Sequence, residues 1–292
     1  MITRRRLLAG APGALLACAV VPSARAATPA KSLEQTFAAI EVKAGGRLGV
    51  AAYGTGSGLK AAWRGDERFP LCSTFKWLAG AAILARVDQG KETLKRKVPI
   101  RAEEIVTYSP ATEKHVGETM PLEQICEAAI TLSDNTAGNL MLAALGGPEG
   151  FNAYVRSLGD GVTHLDRIEP ALNEAAPEDP RDTTTPLAMI ADLDAALVGD
   201  ALSRASRNKL TAWLIGNETG DARLRAGLPE NWRVGDKTGT CNARTSNDVA
   251  IAWPPSGKPV LIAVYLAESD VSPEAQNKAI ADVARAVATA VG

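Results

Sequence analysis

The chain has 292 residues, 46% hydrophobic but only 4% aromatic, with 32 basic against 33 acidic side chains. Four of the bases (Arg4, Arg5, Arg6, Arg25) and none of the acids lie in the first 26 residues, so the rest carries 28 against 33, a net −5, which argues against nucleic-acid binding. Those remaining residues suffice for one large core or two intimately packed lobes, built mostly from Ala, Leu, Val and Ile.

Met1 to Leu8 is basic, the run to Val21 is apolar but short for a bilayer, and Ala24 and Ala26 are small. This predicts a signal peptide over 1–26 and a mature domain over 27–292 that is periplasmic or secreted, without stable membrane insertion after cleavage. Thr3-Arg4-Arg5-Arg6-Leu7-Leu8 looks like a twin-arginine export signal; Sec export, an uncleaved anchor and lipidation at Cys18 stay open. Leu33, Phe37, Ile40 and Val42 predict an amphipathic helix ending at Gly45-Gly46. Strands are predicted over 48–53 and 59–63, then helices over 74–87, 122–132, 136–145, 148–158, 186–198 and 203–215. Strand patterns return at 232–240, 249–253 and 260–266, and an alanine-rich helix over 275–291 closes the chain. The order predicts a mixed α/β fold: an antiparallel sheet built from both chain ends, flanked by helices, with an all-helical lobe over roughly 70–215 inserted. A site is expected at the seam between them.

Four polar clusters can carry chemistry there. Ser73 and Lys76 are three residues apart, nearly one helical turn, so the amine can share a face with the hydroxyl and serve as its base once burial lowers its pKa. Ser133-Asp134-Asn135 breaks two apolar runs; it reads either as a helix cap or as a hydroxyl relay beside a carbonyl-holding amide. Lys237-Thr238-Gly239-Thr240 ends a strand and could bind a carboxylate, with glycine allowing a ligand close to the backbone. Backbone N–H groups of Ser73 and Thr240 could form an oxyanion hole. Glu169-Pro170-Ala171-Leu172-Asn173 lies in a proline-rich stretch, 164–182, that predicts a compact loop with Arg167 and Asp182 pinning its neck. Glu169 and Asn173 could hold a water as general base. Cys72, Cys126 and Cys241 allow three pairings. The only histidines, His115 and His164, have no metal-ligand spacing, so no metal or cofactor is expected.

Ser-x-x-Lys, Ser-Asp-Asn, Glu-x-x-Leu-Asn and Lys-Thr-Gly, in this order and at these separations, resemble the class A serine β-lactamases over essentially the whole mature chain. The resemblance implies that Ser73 is acylated by a β-lactam, that Ser133 protonates the lactam nitrogen beside Lys76 and Lys237, and that Glu169 with Asn173 activates the deacylating water. It gives Asn135 the substrate's amide side chain, gives Lys237, Thr238 and Thr240 its carboxylate with Arg223 assisting, and sets Tyr108 at the mouth. It also implies a Cys72–Cys241 disulfide, as in class A enzymes that hydrolyse carbapenems. Gly80 stands where many relatives have a cysteine paired with the equivalent of Cys126, leaving Cys126 a buried free thiol. The expected partners are small-molecule β-lactams, and nothing demands more than a monomer. A penicillin-binding D,D-peptidase shares the serine and lysine chemistry but normally lacks the Glu169–Asn173 pair. A non-catalytic β-lactam sensor, which binds covalently without turnover, is an alternative from a different class, and a serine glutaminase or esterase is more distant.

Overall fold

The structure, a computed structural model, describes residues 30–292; the expected leader, its cleavage site and Cys18 lie outside the described residues. Helix α1 (Ala30–Ala44) turns Leu33, Phe37, Ile40 and Ala44 to one buried face and stops where Gly45 takes a φ of 60°. Strands β1 (Arg47–Gly54) and β2 (Lys60–Trp63) form a hairpin paired from Val50–Trp63 to Tyr53–Lys60. Beyond the short β3 (Phe69–Pro70), a single turn over Cys72–Thr74 leads into α2 (Phe75–Asp88). Phe75 to Ala85 are all buried, so α2 is covered on every side instead of having one wet face.

The middle of the chain adds β4 (Lys97–Pro99), β5 (Thr119–Pro121), α3 (Leu122–Thr131), α4 (Asn135–Leu145) and α5 (Pro148–Ser157). It continues with β6 (Thr183–Thr184), α6 (Pro186–Leu193), extended by a π-helical turn Asp194–Val198, and α7 (Arg204–Ile215). The inserted segment is therefore not purely helical: β3 pairs with β6 and β4 with β5. These strands of two or three residues are too short to show a period.

After the four-residue α8 (Leu224–Gly227) come β7 (Arg233–Thr240), β8 (Ser246–Trp253) and β9 (Val260–Ala267), then α9 (Pro273–Val291). The main sheet is antiparallel throughout in the order β2-β1-β9-β8-β7, so both chain ends build it, as expected. Every residue of β9 is buried, which explains its unbroken apolar run. One face packs on α1 and α9 through Phe37, Leu48, Ile262, Ile280 and Val283. The other meets the helical segment through Tyr265, Leu261, Phe75, Trp77 and Met189. No helix among the described residues is long and apolar enough to cross a membrane.

Candidate active site

Ser73 lies in the turn that opens α2, held against the edge strand β7. Cys72, just before it, has a φ of 44°, a left-handed conformation sparsely populated by non-glycine residues. Cys72 is disulfide-bonded to Cys241 just beyond β7, with Cα atoms 5.4 Å apart. Gly239 lets the strand come this close: a Cβ there would lie 3.0 Å from Leu71 O and 3.2 Å from Cys72 Cβ. A side chain there would press on the nucleophile turn, so the glycine also serves the protein's own packing. Cys126 is the buried free thiol expected, and burial pushes its pKa up.

Lys76 is fully buried, and its Nζ meets four oxygens: Ser73 Oγ at 2.9 Å, Ser133 O at 2.9 Å, Asn135 Oδ1 at 2.6 Å and Glu169 Oε1 at 3.0 Å. Burial lowers its pKa, while the Glu169 charge and hydrogen bond, then Asp134, push back upward. An ammonium has three protons for these four oxygens.

The Ser-Asp-Asn break is a helix cap, and it also places two side chains at the cleft. Asp134 caps α4 by accepting from Ala137 N at 2.8 Å and also accepts from Ala111 N and Thr112 N, each at 2.9 Å. Its neighbours point into the cleft: Ser133, at a φ of 59°, accepts from Lys237 Nζ at 3.0 Å, and Asn135 donates to Thr107 O at 2.9 Å. Asn135 is thus committed to Lys76 and Thr107 in the free protein.

The 164–182 loop is closed at its neck: Asp182 accepts from Asp166 N at 2.8 Å, Arg167 N at 2.9 Å and Arg167 Nε at 2.6 Å. A tight turn, Ala171–Asn173, folds the Asn173 amide back onto Glu169 Oε2. The buried Asn173 Oδ1 accepts no hydrogen bond among the described residues. Asn139, which the motifs did not flag, clamps the Glu169 peptide: Nδ2 donates to Glu169 O at 2.9 Å and Oδ1 accepts from Glu169 N at 2.8 Å. Its position one helical turn after Asn135 was the available clue.

Lys237, fully buried on β7, also donates to Thr238 O at 2.8 Å, and its pKa is lowered to about 7, first by burial and then by Lys76. Arg223, itself nearly buried, donates to Thr240 Oγ1 at 2.7 Å, Gly239 O at 2.8 Å and Asn247 O at 2.7 Å. Tyr108 is exposed. Ser73, Ser133, Asn135, Asn173, Thr238 and Thr240 line one cleft of about 300 Å³ with Tyr108, Arg223 and the unforeseen Thr219. The remaining expected residues, Lys76, Glu169, Lys237 and Gly239, lie directly behind this lining.

The family model described as "Beta-lactamase enzyme family" matches residues 32–291. Beta-lactamase AST-1 of Nocardia asteroides is 47% identical over 99% of this chain and 96% of its own length. Beta-lactamase CTX-M-6 of Salmonella typhimurium is 45% identical, over 88% of this chain and 89% of its own. Among solved structures, an ancestral class A β-lactamase superposes with a TM-score of 0.87 at 60% identity, covering 88% of this chain and 99% of that one. The putative class A β-lactamase PenP of Rhodopseudomonas palustris gives 0.87 at 55%, with 89% and 99% covered. Fold, sequence and motif order agree, and the chain belongs to the β-lactamase enzyme family as a class A serine β-lactamase.

Proposed function

We propose that residues 27–292 act as one catalytic unit that opens the β-lactam amide of penicillins, cephalosporins and carbapenems through an acyl-enzyme on Ser73. The observation that carries this reading is Lys76 Nζ, 2.9 Å from Ser73 Oγ and 3.0 Å from Glu169 Oε1. A lysine depressed by burial and touching a carboxylate can hand a proton to Glu169 and accept the serine proton as Ser73 attacks. The developing oxyanion faces backbone N–H groups of Ser73 and Thr240. Ser133, hydrogen-bonded to Lys237, delivers a proton to the departing lactam nitrogen and is reprotonated from the lysines beside it. Glu169, steered by Asn173 and the Asn139 clamp, then removes a proton from the water that attacks the ester.

Lys237, Thr238, Thr240 and Arg223 gather positive charge and hydroxyls at one end of the cleft, suited to the substrate carboxylate. Asn135 turns from Lys76 toward the acylamino group, and Tyr108 borders the mouth. The Cys72–Cys241 bond supports carbapenem turnover by fixing β7 against the nucleophile turn. It also supports a periplasmic or secreted location, since such bonds persist in oxidising compartments.

The deciding experiment follows intact protein mass and ligand consumption after mixing with excess benzylpenicillin. A transient adduct with all ligand consumed is expected. A stable adduct with one equivalent consumed would make the protein a penicillin-binding protein or sensor.

A further inference from the structure

The two threonine hydroxyls of Lys237-Thr238-Gly239-Thr240 look equivalent in sequence, but their hydrogen bonds run in opposite directions. Thr240 Oγ1 accepts from Arg223 Nη2 at 2.7 Å, and a guanidinium cannot accept in return, so the Thr240 proton is free for a ligand. Thr238 differs. Its Oγ1 is in hydrogen-bond contact with Thr219 Oγ1, and the direction of that bond follows from the partners behind it.

Asn217 is buried, and its Nδ2 donates to Asp236 Oδ2 at 2.6 Å. The backbone N–H of Thr219 donates to Asn217 Oδ1 at 3.1 Å, which independently fixes the same amide orientation. Thr219 Oγ1 lies 2.8 Å from that Oδ1. A carbonyl oxygen only accepts, so the hydrogen between them is the Thr219 proton. With its one proton spent on Asn217, Thr219 can only accept from Thr238. The Thr238 proton is therefore spent on Thr219, and Thr238 faces the cleft as an acceptor.

We propose that Thr219 is a positioning residue that holds Thr238 as an acceptor in the free enzyme, and that carboxylate binding requires both hydroxyls to reverse. In the bound state Thr238 donates to the carboxylate and Thr219 donates to Thr238. Otherwise two oxygens in hydrogen-bond contact would face each other with no proton between them. The reversal gives up the Thr219–Asn217 side-chain bond, leaving Asn217 Oδ1 with the Thr219 N–H. The cleft thus discriminates against its own anionic ligand by about one neutral hydrogen bond. No covalent bond changes; two hydroxyl rotors turn. The inference rests on the proposed carboxylate role of Thr238.

The test compares kcat/KM for benzylpenicillin with that for its methyl ester, which lacks the anionic carboxylate, in wild type, Thr219→Val and Thr219→Ser. Valine keeps the shape and removes the acceptor, so the acid-to-ester ratio should rise about two- to tenfold, the worth of one net neutral hydrogen bond. Serine restores the hydroxyl and should return the ratio to the wild-type value. An unchanged or lower ratio in Thr219→Val, or a serine variant that follows the valine one, overturns the proposal. A wild-type enzyme that leaves benzylpenicillin intact would instead overturn the proposed function. A ratio near one in wild type would remove Thr238 from carboxylate binding and the proposal with it.

Discussion

Lys76 Nζ and Glu169 Oε1 face each other across 3.0 Å, with both side chains wholly shielded from solvent. Pairing two buried charges is poor economy for stability, because desolvation can exceed the attraction gained. The pair makes sense as a proton path held ready between nucleophile and water.

Replacing Glu169 by glutamine separates its two duties. In the proposed mechanism the variant loses the general base for deacylation, and kcat for benzylpenicillin should fall about 10²- to 10⁴-fold. It also removes the charge that most strongly keeps Lys76 protonated, so the lysine is neutral at lower pH. Acylation should persist with its pH dependence moved toward acid, and intact mass should show the adduct at steady state. Hydrolysis at the wild-type rate would rule out the role given to Glu169.

Lys237 should impose an alkaline limb on catalysis. Its pKa of about 7 means that the cation is lost as pH rises past that value, so kcat/KM for a carboxylate substrate declines there. Lys237→Arg keeps the charge and should flatten the limb even if the overall rate is lower. Folding runs the other way. The unfolded lysine keeps its proton to about its ordinary 10.5, so between about 7 and 10.5 the unfolded chain binds more protons and the cost this buried residue imposes on folding shrinks as pH rises. Urea midpoints of wild type and Lys237→Met across that window measure the difference.

Asp182→Asn should loosen the loop that carries Glu169. The carboxylate is buried and takes three hydrogen bonds from Asp166 and Arg167, so the variant should lose about 1–3 kcal/mol in denaturant unfolding. Limited proteolysis should cut within 164–182 sooner, and deacylation should slow more than acylation. Equal slowing of both steps would separate this neck from the placement of Glu169.

Imipenem should be turned over by the purified enzyme, with a decline in its absorbance beyond one equivalent. Consumption that stops at one equivalent, with the adduct retained, would restrict the proposed spectrum to penicillins and cephalosporins.

Much of this was legible in the chain because long elements repeat their pattern. The apolar spacing of α1 and the continuous run of β9 left little choice of element. The start of β8 was not, because Ser246-Asn247-Asp248 is polar while being buried: Ser246 donates to Gln276 at 2.8 Å, Asn247 to Pro70 O at 2.8 Å, and Asp248 accepts from Leu224 N at 3.0 Å. Such residues are recognisable only from partners distant in sequence. The same holds within the site. The four motifs picked out residues that the fold gathers at one cleft, but the contacts of Asn139 and Thr219 depend on geometry that no short motif encodes. The left-handed backbone at Cys72, Tyr108 and Ser133 was likewise hidden, since none of these is a glycine.

The bond between Cys72 and Cys241 spans 169 positions of sequence and so closes most of the catalytic apparatus into a covalent ring. Ser73, Glu169 and Lys237 all lie on that ring. A protease that nicks the 164–182 loop would therefore open a circle without releasing a piece, and the two fragments would travel as one molecule until a reductant parts them.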